Sequence, residues 1–329
     1  MLHAFNGSDG SLPQAGVVIG PGGVLYGTAE QGGSSSNGVV FSLTPPASPG
    51  GSWTENTIYT FKGGDDGAGP RQLVVGSSRL YGTTDGGGTS ADGTVFSLTP
   101  PASAGGSWTE TTLHSFACGD DDGCIPYGGV VIGKGGVLYG TTFHGGPTAT
   151  GTVFSLTPPA SPGGSWTETL LHTFAGGRDA ANPYVGVTIG SGGVLYGASQ
   201  YGGSSYYGAV FAVTPPTSPG GLWTEAVLKS FVYDGLRGQG PVAGILTSPA
   251  GDVCSTAPDG GASADGVVFC LEPPASPDGT WTEVVLHSFT GSDGANPVGA
   301  LTIGAGKVLY GTTSTGGASN YGTVYQLTP

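Results

Sequence analysis

The chain has few positive charges and no long apolar run. Only 8 of its 329 residues are Lys or Arg, against 22 Asp or Glu, so the formal net charge is −14. A nucleic-acid backbone requires a basic stripe, which this composition excludes. An anionic membrane is disfavoured for the same reason, and no stretch approaches the roughly 20 apolar residues of a spanning helix. We therefore expect no nucleic acid and no membrane span.

Helical periodicity is also missing. The apolar residues fall in short β-branched and aromatic runs, such as Val17-Val18-Ile19 and Val24-Leu25-Tyr26. The chain has 67 Gly and 25 Pro, a fraction that indicates disorder when it is unpatterned. Here Gly and Pro recur at fixed places between the apolar runs, which is typical of turns. The sequence therefore predicts an all-β protein.

What is present is one unit, repeated six times at intervals of 55 to 58 residues. Each unit has four short apolar runs joined by short links, here called strands a, b, c and d in chain order. This pattern predicts a six-bladed β-propeller of four-stranded antiparallel blades. We expect one domain over residues 1–329, with approximate repeats at 13–61, 70–116, 126–174, 183–231, 241–289 and 297–329 plus 2–5. The marker strand of each repeat lies at Val40-Phe41, Val95-Phe96, Val153-Phe154, Val210-Phe211, Val268-Phe269 and Val324-Tyr325.

The last repeat stops at Thr328-Pro329 and lacks the closing strand d that the other repeats carry. The N-terminal segment Leu2–Phe5 matches the end of that strand in the second repeat, Leu113–Phe116. We predict that the N-terminal strand completes the sixth blade and closes the ring. The rival architecture is a β-solenoid, whose coils are usually shorter and whose ends need caps. A closed ring leaves only short protected edges, so we expect a monomer.

Four cysteines fall as two pairs. Cys118 and Cys124 bracket an acidic loop, whereas Cys254 and Cys270 replace a strand Tyr and a strand Ser on the two arms of one hairpin. A metal site would need more convergent ligands than two isolated thiols. The pattern predicts disulfides Cys118–Cys124 and Cys254–Cys270, and hence a secreted or cell-surface protein.

The recurring string Gly-Val-Leu-Tyr-Gly-Thr-Thr, followed by Gly-Gly and then Gly-Thr-Val-Phe-Ser-Leu, resembles the GloVer tandem repeat of choice-of-anchor proteins. The resemblance covers nearly the whole chain and implies an exported bacterial protein. Relatives often carry a C-terminal sorting signal for surface anchoring, and none is visible in this sequence. The resemblance implies no established chemistry and no catalytic residue.

Two positions vary between repeats, and in a propeller both lie on one face near the axis. They are the residue after the Pro that opens strand a and the pair before Gly-Gly in the b–c hairpin. The third and fourth repeats concentrate aromatic side chains and the only histidine outside strand d, namely Tyr127, Phe143, His144, Tyr184, Tyr201, Tyr206 and Tyr207. Charged residues flank them, namely Arg71, Asp85, Arg178, Arg237 and Asp259. Aromatic rings stack on sugar faces and charged groups satisfy hydroxyls, so we predict a glycan or similar polar ligand. The alternative is that exposed tyrosines only stiffen the loops.

The same residues leave an enzyme open. His144 and Tyr201, with Arg71 as charge neutraliser, suit a polysaccharide lyase that acts on a uronate, although the acidic face repels a polyuronate. A glycoside hydrolase requires a facing carboxylate pair, and Asp85 with Asp259 is conceivable but lies across the predicted ring. A non-catalytic surface scaffold or adhesion module is the third alternative.

Two further positions recur through the chain. An Asp stands four residues before the Pro in five d–a loops, at Asp9, Asp66, Asp122, Asp179 and Asp293, with Asp234 displaced. Such an Asp typically bonds its own turn backbone, but calcium is the alternative, with Asp120 and Asp122 as the candidate ligands. One strand-d position is filled by His3, Tyr59, His114, His172, Lys229 and His287. This tolerance predicts an outward-facing structural site.

Overall fold

The computed structural model describes residues 1–103, 105–161, 163–218, 220–276 and 279–328. The predicted repeats also contain residues 104, 162, 219, 277, 278 and 329, which lie outside these ranges. The described residues form β-strands and five short 3₁₀ turns, which confirms the predicted all-β class. The turns are Pro21–Gly23, Gly64–Asp66, Lys134–Gly136, Ser191–Gly193 and Ala305–Lys307. Among these residues no helix is long and apolar enough to cross a membrane.

The described strands form the six antiparallel blades of a β-propeller, each with its strands in chain order. The first two blades contain β1 (Val18–Ile19), β2 (Leu25–Ala29), β3 (Val39–Thr44), β4 (Thr54–Thr60), β5 (Ala68–Val75), β6 (Leu80–Gly86), β7 (Thr94–Thr99) and β8 (Thr109–Ser115). After a short strand β9 (Gly123–Cys124), the third blade contains β10 (Val131–Ile132), β11 (Leu138–Thr142), β13 (Thr152–Thr157) and β14 (Thr167–Thr173).

The remaining blades repeat this order. The fourth and fifth blades contain β16 (Thr188–Ile189), β17 (Leu195–Ser199), β19 (Ala209–Thr214), β20 (Thr224–Ser230), β22 (Leu246–Thr247), β23 (Val253–Ala257), β25 (Val267–Glu272) and β26 (Thr282–Ser288). The described part of the sixth blade contains β27 (Thr302–Ile303), β28 (Leu309–Thr313) and β29 (Thr323–Leu327). The remaining short strands are β12 (His144–Gly145), β15 (Ala180–Ala181), β18 (Tyr201–Gly202), β21 (Gly238–Gln239) and β24 (Asp259–Gly260).

A recurring pair of aromatic rings packs between consecutive blades. The Phe that follows strand d is fully buried and meets the strand-c aromatic ring of the next blade edge-on, an arrangement that aromatic quadrupoles favour. The pairs are Phe61–Phe96, Phe116–Phe154, Phe174–Phe211, Phe231–Phe269 and Phe289–Tyr325, with ring centroids 4.9–5.2 Å apart. The strand-b glycine makes room for the ring, since a Cβ on Gly82 would lie 2.7 Å from Cζ of Phe96.

The N-terminal segment takes part in the same pattern. Phe5 lies edge-on to Phe41 at 5.0 Å, which is the contact that a strand-d Phe makes with the following blade. Phe5 therefore packs on the first blade as the alignment of residues 2–5 with the end of strand d predicted. Residues 2–5 are not assigned to a strand, and their backbone pairing with β29 stays a prediction.

Both predicted disulfides are confirmed. Cys254 lies directly opposite Cys270 in the β23–β25 ladder, with their Cα atoms 4.0 Å apart. The equivalent ladder positions pair Tyr26 with Ser42 in the first blade. Cys118 and Cys124 close the acidic loop with a Cα separation of 4.8 Å. The paired departure from the repeat consensus was therefore a reliable signal, because a cross-strand disulfide requires both partners.

The backbone groups into two compact units, which are described separately below. The first comprises residues 1–145 and 154–170, and the second comprises residues 146–153 and 171–329. The first and second blades lie in the first unit, the fourth to sixth lie in the second, and the division passes through the third blade. That all six repeats form one domain stays a prediction.

Candidate functional site

A turn before strand a presents the first variable position. The residue before the opening Pro has a left-handed backbone in all six repeats, with φ between 54° and 65°, at Leu12, Gly69, Ile125, Asn182, Gly240 and Asn296. This conformation is costly for a β-branched residue such as Ile125, particularly before Pro. The Ile125 N–H donates to the Asp92 carbonyl of the preceding b–c hairpin at 2.8 Å. The turn thus fixes the backbone position of Tyr127, the variable residue that follows Pro126.

The second variable position lies on a short two-stranded ladder, and the sequence analysis did not predict this ladder. In the third blade β12 pairs with β9, which places His144 opposite Cys124. In the fourth blade β18 pairs with β15, which places Tyr201 opposite Ala181. In the fifth blade Asp259 lies opposite Gln239. The d–a loop and the b–c hairpin of one blade are therefore joined at the predicted face.

Within the first unit, the variable residues of three blades form a continuous row, here called the first-unit row. Arg71 lies at its centre, where Nη1 donates to Glu30 Oε2 at 3.1 Å and Nε donates to Asp85 Oδ2 at 3.1 Å. Gln14 donates its side-chain amide to the same Glu30 oxygen at 2.7 Å. The guanidinium also stacks over the Tyr127 ring, 4.9 Å from its centroid.

The row continues through aromatic contacts. The rings of Tyr127 and Phe143 meet edge-on at 5.3 Å, and Phe143 meets the His144 imidazole at 4.6 Å. The structure thus brings together five predicted ligand residues, namely Arg71, Asp85, Tyr127, Phe143 and His144, and adds Gln14 and Glu30. One end of the row is polar and the other is aromatic.

The charged side chains of the row have a net negative charge. Arg71 is flanked by two carboxylates, and the side chains of all three are only 15–21% exposed. One guanidinium against two carboxylates leaves a formal charge of −1, so an anionic ligand gains little from Arg71. The arrangement favours neutral groups that donate hydrogen bonds to carboxylate oxygens, such as hydroxyls.

The other predicted ligand residues belong to the second unit. Tyr184, Tyr201 and Tyr206 are exposed by 38%, 48% and 66%. Arg178 and Asp259 are also exposed. Arg237 instead serves an ion-paired junction, with Nη1 3.4 Å from Asp234 and Nε 3.5 Å from Glu283. Convergence of Tyr184 and Tyr201 with Tyr127 and His144 stays a prediction, as does the catalytic pairing of His144 with Tyr201.

The calcium prediction concerned Asp120 and Asp122. Asp120 is exposed on the disulfide-closed turn. Asp122 accepts hydrogen bonds from the backbone N–H of Ala117 at 2.8 Å and of Gly123 at 2.7 Å. The carboxylate therefore closes its own loop, as the turn interpretation of the recurring Asp predicted. Calcium binding by the pair stays a prediction.

The histidines of strand d are partly exposed, with 21–33% of each side chain accessible, and each contacts the Asp of the loop that follows. The side chain of His114 is 22% exposed, and Nε2 lies 3.3 Å from Oδ1 of Asp122 in the loop that follows. Glu168, from the Trp-Thr-Glu segment of the third blade, completes the group. We call such groups junction triads, and they are His3–Asp9–Glu55, His114–Asp122–Glu168 and His172–Asp179–Glu225. Sequence reasoning missed the glutamates because the triad assembles only between blades, and the invariant Glu of Trp-Thr-Glu was the available signal.

Burial dominates the electrostatics of these glutamates. Desolvation raises the pKa of both Glu168 and Glu225 to about 7, the nearby Asp carboxylate adds to the rise, and the nearby His opposes it. Burial also acts on Asp179, but hydrogen bonds from His172 and from the N–H groups of Ala175 and Ala180 outweigh it and lower its pKa. The triads of Glu168 and Glu225 therefore each hold one carboxylate fixed by hydrogen bonds and one carboxyl group with a buried oxygen. Glu55 of the remaining triad is partly exposed and accepts a hydrogen bond from Thr57.

A groove lies at the other end of the strands. It has a volume of about 730 Å³ and is lined by residues of the a–b turns and of the c–d connection, including Arg79, Tyr81, Pro158 and Trp166. The first-unit row lies at the b–c and d–a end. The groove therefore provides a natural negative control for any ligand assigned to the row.

These features define a β-propeller built from a tandem repeat, with a polar and aromatic row on its hairpin face. The sequence profile of the Gloeobacter/Verrucomicrobia repeat matches residues 1–211 and again residues 160–329. The chain therefore belongs to the Gloeobacter/Verrucomicrobia repeat family, as the GloVer resemblance predicted. A search of curated proteins gave no match.

Solved structures share the fold at low sequence identity. A Thermus thermophilus protein assigned as an oxidoreductase (glucose dehydrogenase) has a TM-score of 0.55 and 16% identity over 97% of each chain. A polysaccharide lyase (ulvan lyase) bound to a GlcA(1-4)Rha3S unit has a TM-score of 0.52 and 9% identity, covering 98% of this chain and 81% of its own. A luciferin-regenerating enzyme has a TM-score of 0.51 and 11% identity over 97% and 92%. At these identities the likeness establishes the fold alone.

Proposed function

We propose that this protein is an exported glycan-binding propeller and that the first-unit row contacts the sugar. The observation that carries the proposal is the row itself, in which Arg71 is held between Glu30 and Asp85 and stacks on Tyr127. Sugar sites combine aromatic faces with polar groups fixed in orientation, and this row supplies both. Its negative balance favours a neutral or weakly charged glycan over a polyuronate. The carbohydrate-related names among the structural neighbours are compatible with this ligand class.

The setting is proposed on separate grounds. All four cysteines are paired in disulfides, a state that persists in oxidising compartments. Disulfides and repeat family together support a secreted or cell-surface location. We also propose a monomer, for which light scattering is the test.

The experiment is a binding screen against neutral and uronate-containing oligosaccharides, followed by calorimetry with the strongest neutral binder. Tyr127→Ala should weaken binding by about 10-fold, because loss of one stacked ring removes on the order of 1.4 kcal/mol. The matched control is Arg79→Ala, in the groove at the other end of the strands, and its affinity should stay unchanged. Equal losses in the two variants would overturn the assignment to the row.

The remaining outcomes separate the other function classes. If products accumulate during the screen and His144→Ala abolishes their formation while binding persists, the protein is a lyase or hydrolase. A blank screen with a fully folded protein favours the scaffold or adhesion module.

A further inference from the structure

The junction triads have the composition of metal-binding groups. Each offers one imidazole nitrogen and two carboxylate oxygens, and within each triad the three ligand atoms lie within 4.8 Å of one another. A tetrahedral Zn²⁺ with bonds of about 2.0–2.2 Å places its ligand atoms roughly 3.3–3.6 Å apart. Binding would therefore draw the ligand atoms together by up to about 1.4 Å, which rotations of the three side chains would supply.

A second observation points to a missing partner. Glu168 Oε1 and Glu225 Oε1 are both fully buried and make no hydrogen bond. Buried polar atoms in folded proteins nearly always have a partner, so each orphaned oxygen needs an explanation. Both belong to triads, next to the imidazoles of His114 and His172 respectively.

The other ligands are already held in place. The Asp122 carboxylate is fixed by two backbone N–H groups, which leaves lone pairs free for a cation. The His114 ring is braced edge-on by Phe116 at 4.7 Å. Supporting contacts of this kind orient the ligands in metal sites.

At one junction a lysine side chain places a positive charge beside the buried glutamate. At the junction of the fourth and fifth blades, Lys229 occupies the histidine position, and its Nζ lies 2.6 Å from Glu283 Oε2. This contact is an ion pair without hydrogen-bond geometry, and the Glu283 side chain is only 3% exposed. One junction therefore fills the place beside the buried glutamate with a positive charge.

We propose that the three junction triads each bind a divalent transition-metal ion of the Zn²⁺ class, with one coordination position open to water. Imidazole favours such ions over Ca²⁺, which prefers oxygen ligands alone. The bound ion would link strand d of one blade to strand d of the next and would stabilise the junction.

The test is calorimetric titration of the metal-free protein with ZnCl₂ at about pH 8, where the ligands are deprotonated. We expect three ions per chain, one for each triad. His114→Tyr and His172→Tyr should each remove one ion without unfolding the protein, because Tyr59 fills this position in the first blade. The double variant should bind one ion. Circular dichroism checks that the fold is retained.

Two further variants make the test sharper. His287 contacts Asp293 at 2.9 Å, but no third ligand completes that pair among the described residues, so His287→Tyr should leave the stoichiometry at three. Tyr59→His places an imidazole beside Asp66 and Glu110 and should add a fourth ion. The proposal is overturned if the double variant binds as many ions as the wild type, if His287→Tyr loses one, or if CaCl₂ replaces ZnCl₂ with equal affinity.

Discussion

The third and fifth blades each contain a glutamate with a buried carboxyl oxygen, but different side chains face it. In both, the Trp-Thr-Glu segment brings a glutamate to the junction with the preceding blade, and Oε1 is buried without a hydrogen bond. Glu168 faces His114 and Asp122, whereas Glu283 faces Lys229 and Arg237. The repeat thus places a buried carboxyl group at both junctions, and the side chains of the preceding blade determine how its charge is balanced.

The two blades also differ along strand b. The Trp166 ring of the third blade packs on Tyr81 of the second at 6.1 Å, and Trp281 of the fifth packs on Tyr196 of the fourth at 6.5 Å. Strand b of the fifth blade itself carries Cys254 instead of a tyrosine, disulfide-bonded to Cys270. In the fifth blade a disulfide therefore takes the place of the strand-b tyrosine, whose ring packs on the neighbouring blade elsewhere.

Removing the fixed cation should have the largest effect. Lys229→Met leaves Glu283 with only Arg237, whose Nε is 3.5 Å away and whose side chain is 49% exposed. Unpairing a buried charge typically costs about 3–5 kcal/mol, and the remaining arginine places the expected loss at about 3 kcal/mol. Chemical denaturation measures it.

The controls for this variant use the comparison directly. Lys229→Met combined with Glu283→Gln should recover most of the loss, because no charge is then buried. His114→Met in metal-free protein should cost less, since His114 contacts Asp122 and not Glu168 directly. Equal losses at the two junctions would mean that packing, and not charge, distinguishes the blades.

The disulfide of the fifth blade should have the next largest effect. Cys254→Tyr with Cys270→Ser restores the residues of the other blades but releases a loop with a sequence separation of 16. Chain entropy predicts a loss of about 3 kcal/mol, against about 2 kcal/mol for Cys118→Ser with Cys124→Ser, whose separation is 6. Thermal unfolding of both double variants tests the order. A larger loss at the shorter loop would contradict it.

The sequence predicted the fold well because each blade is specified locally. Strand order, the turn at each Gly-Gly and the pairing of Cys254 with Cys270 all follow from residues close in the chain. The first-unit row was predicted in part, since Arg71, Tyr127 and His144 were singled out by their variation between repeats. The Arg71–Glu30 contact was not predicted, because it spans 41 residues and depends on how two blades pack. The junction triads were missed for the same reason.

The second blade sharpens the comparison at a junction with no basic residue in the histidine position. There Tyr59 donates to Asp66, and burial, reinforced by the Asp66 charge, raises the pKa of Glu110 to about 7. Hydrogen bonding from Thr112 and the charge of Lys62 oppose the rise. Because the folded pKa exceeds the ordinary value of 4.5, the fold favours the protonated acid. This contribution to stability is complete below about pH 4.5 and is lost as the pH rises toward 7.

Glu110→Gln keeps the shape of the protonated acid and removes the titration. Relative to the wild type, the variant should gain stability between about pH 4.5 and pH 7 by about 1–2 kcal/mol, a value reduced for the partial exposure of the side chain. Urea denaturation at a series of pH values measures the difference. The matched change at the lysine junction, Glu283→Gln, should instead lose stability at neutral pH, because it leaves Lys229 without its partner carboxylate. If both variants moved in the same direction, the cation would not be what distinguishes the fifth blade from the second.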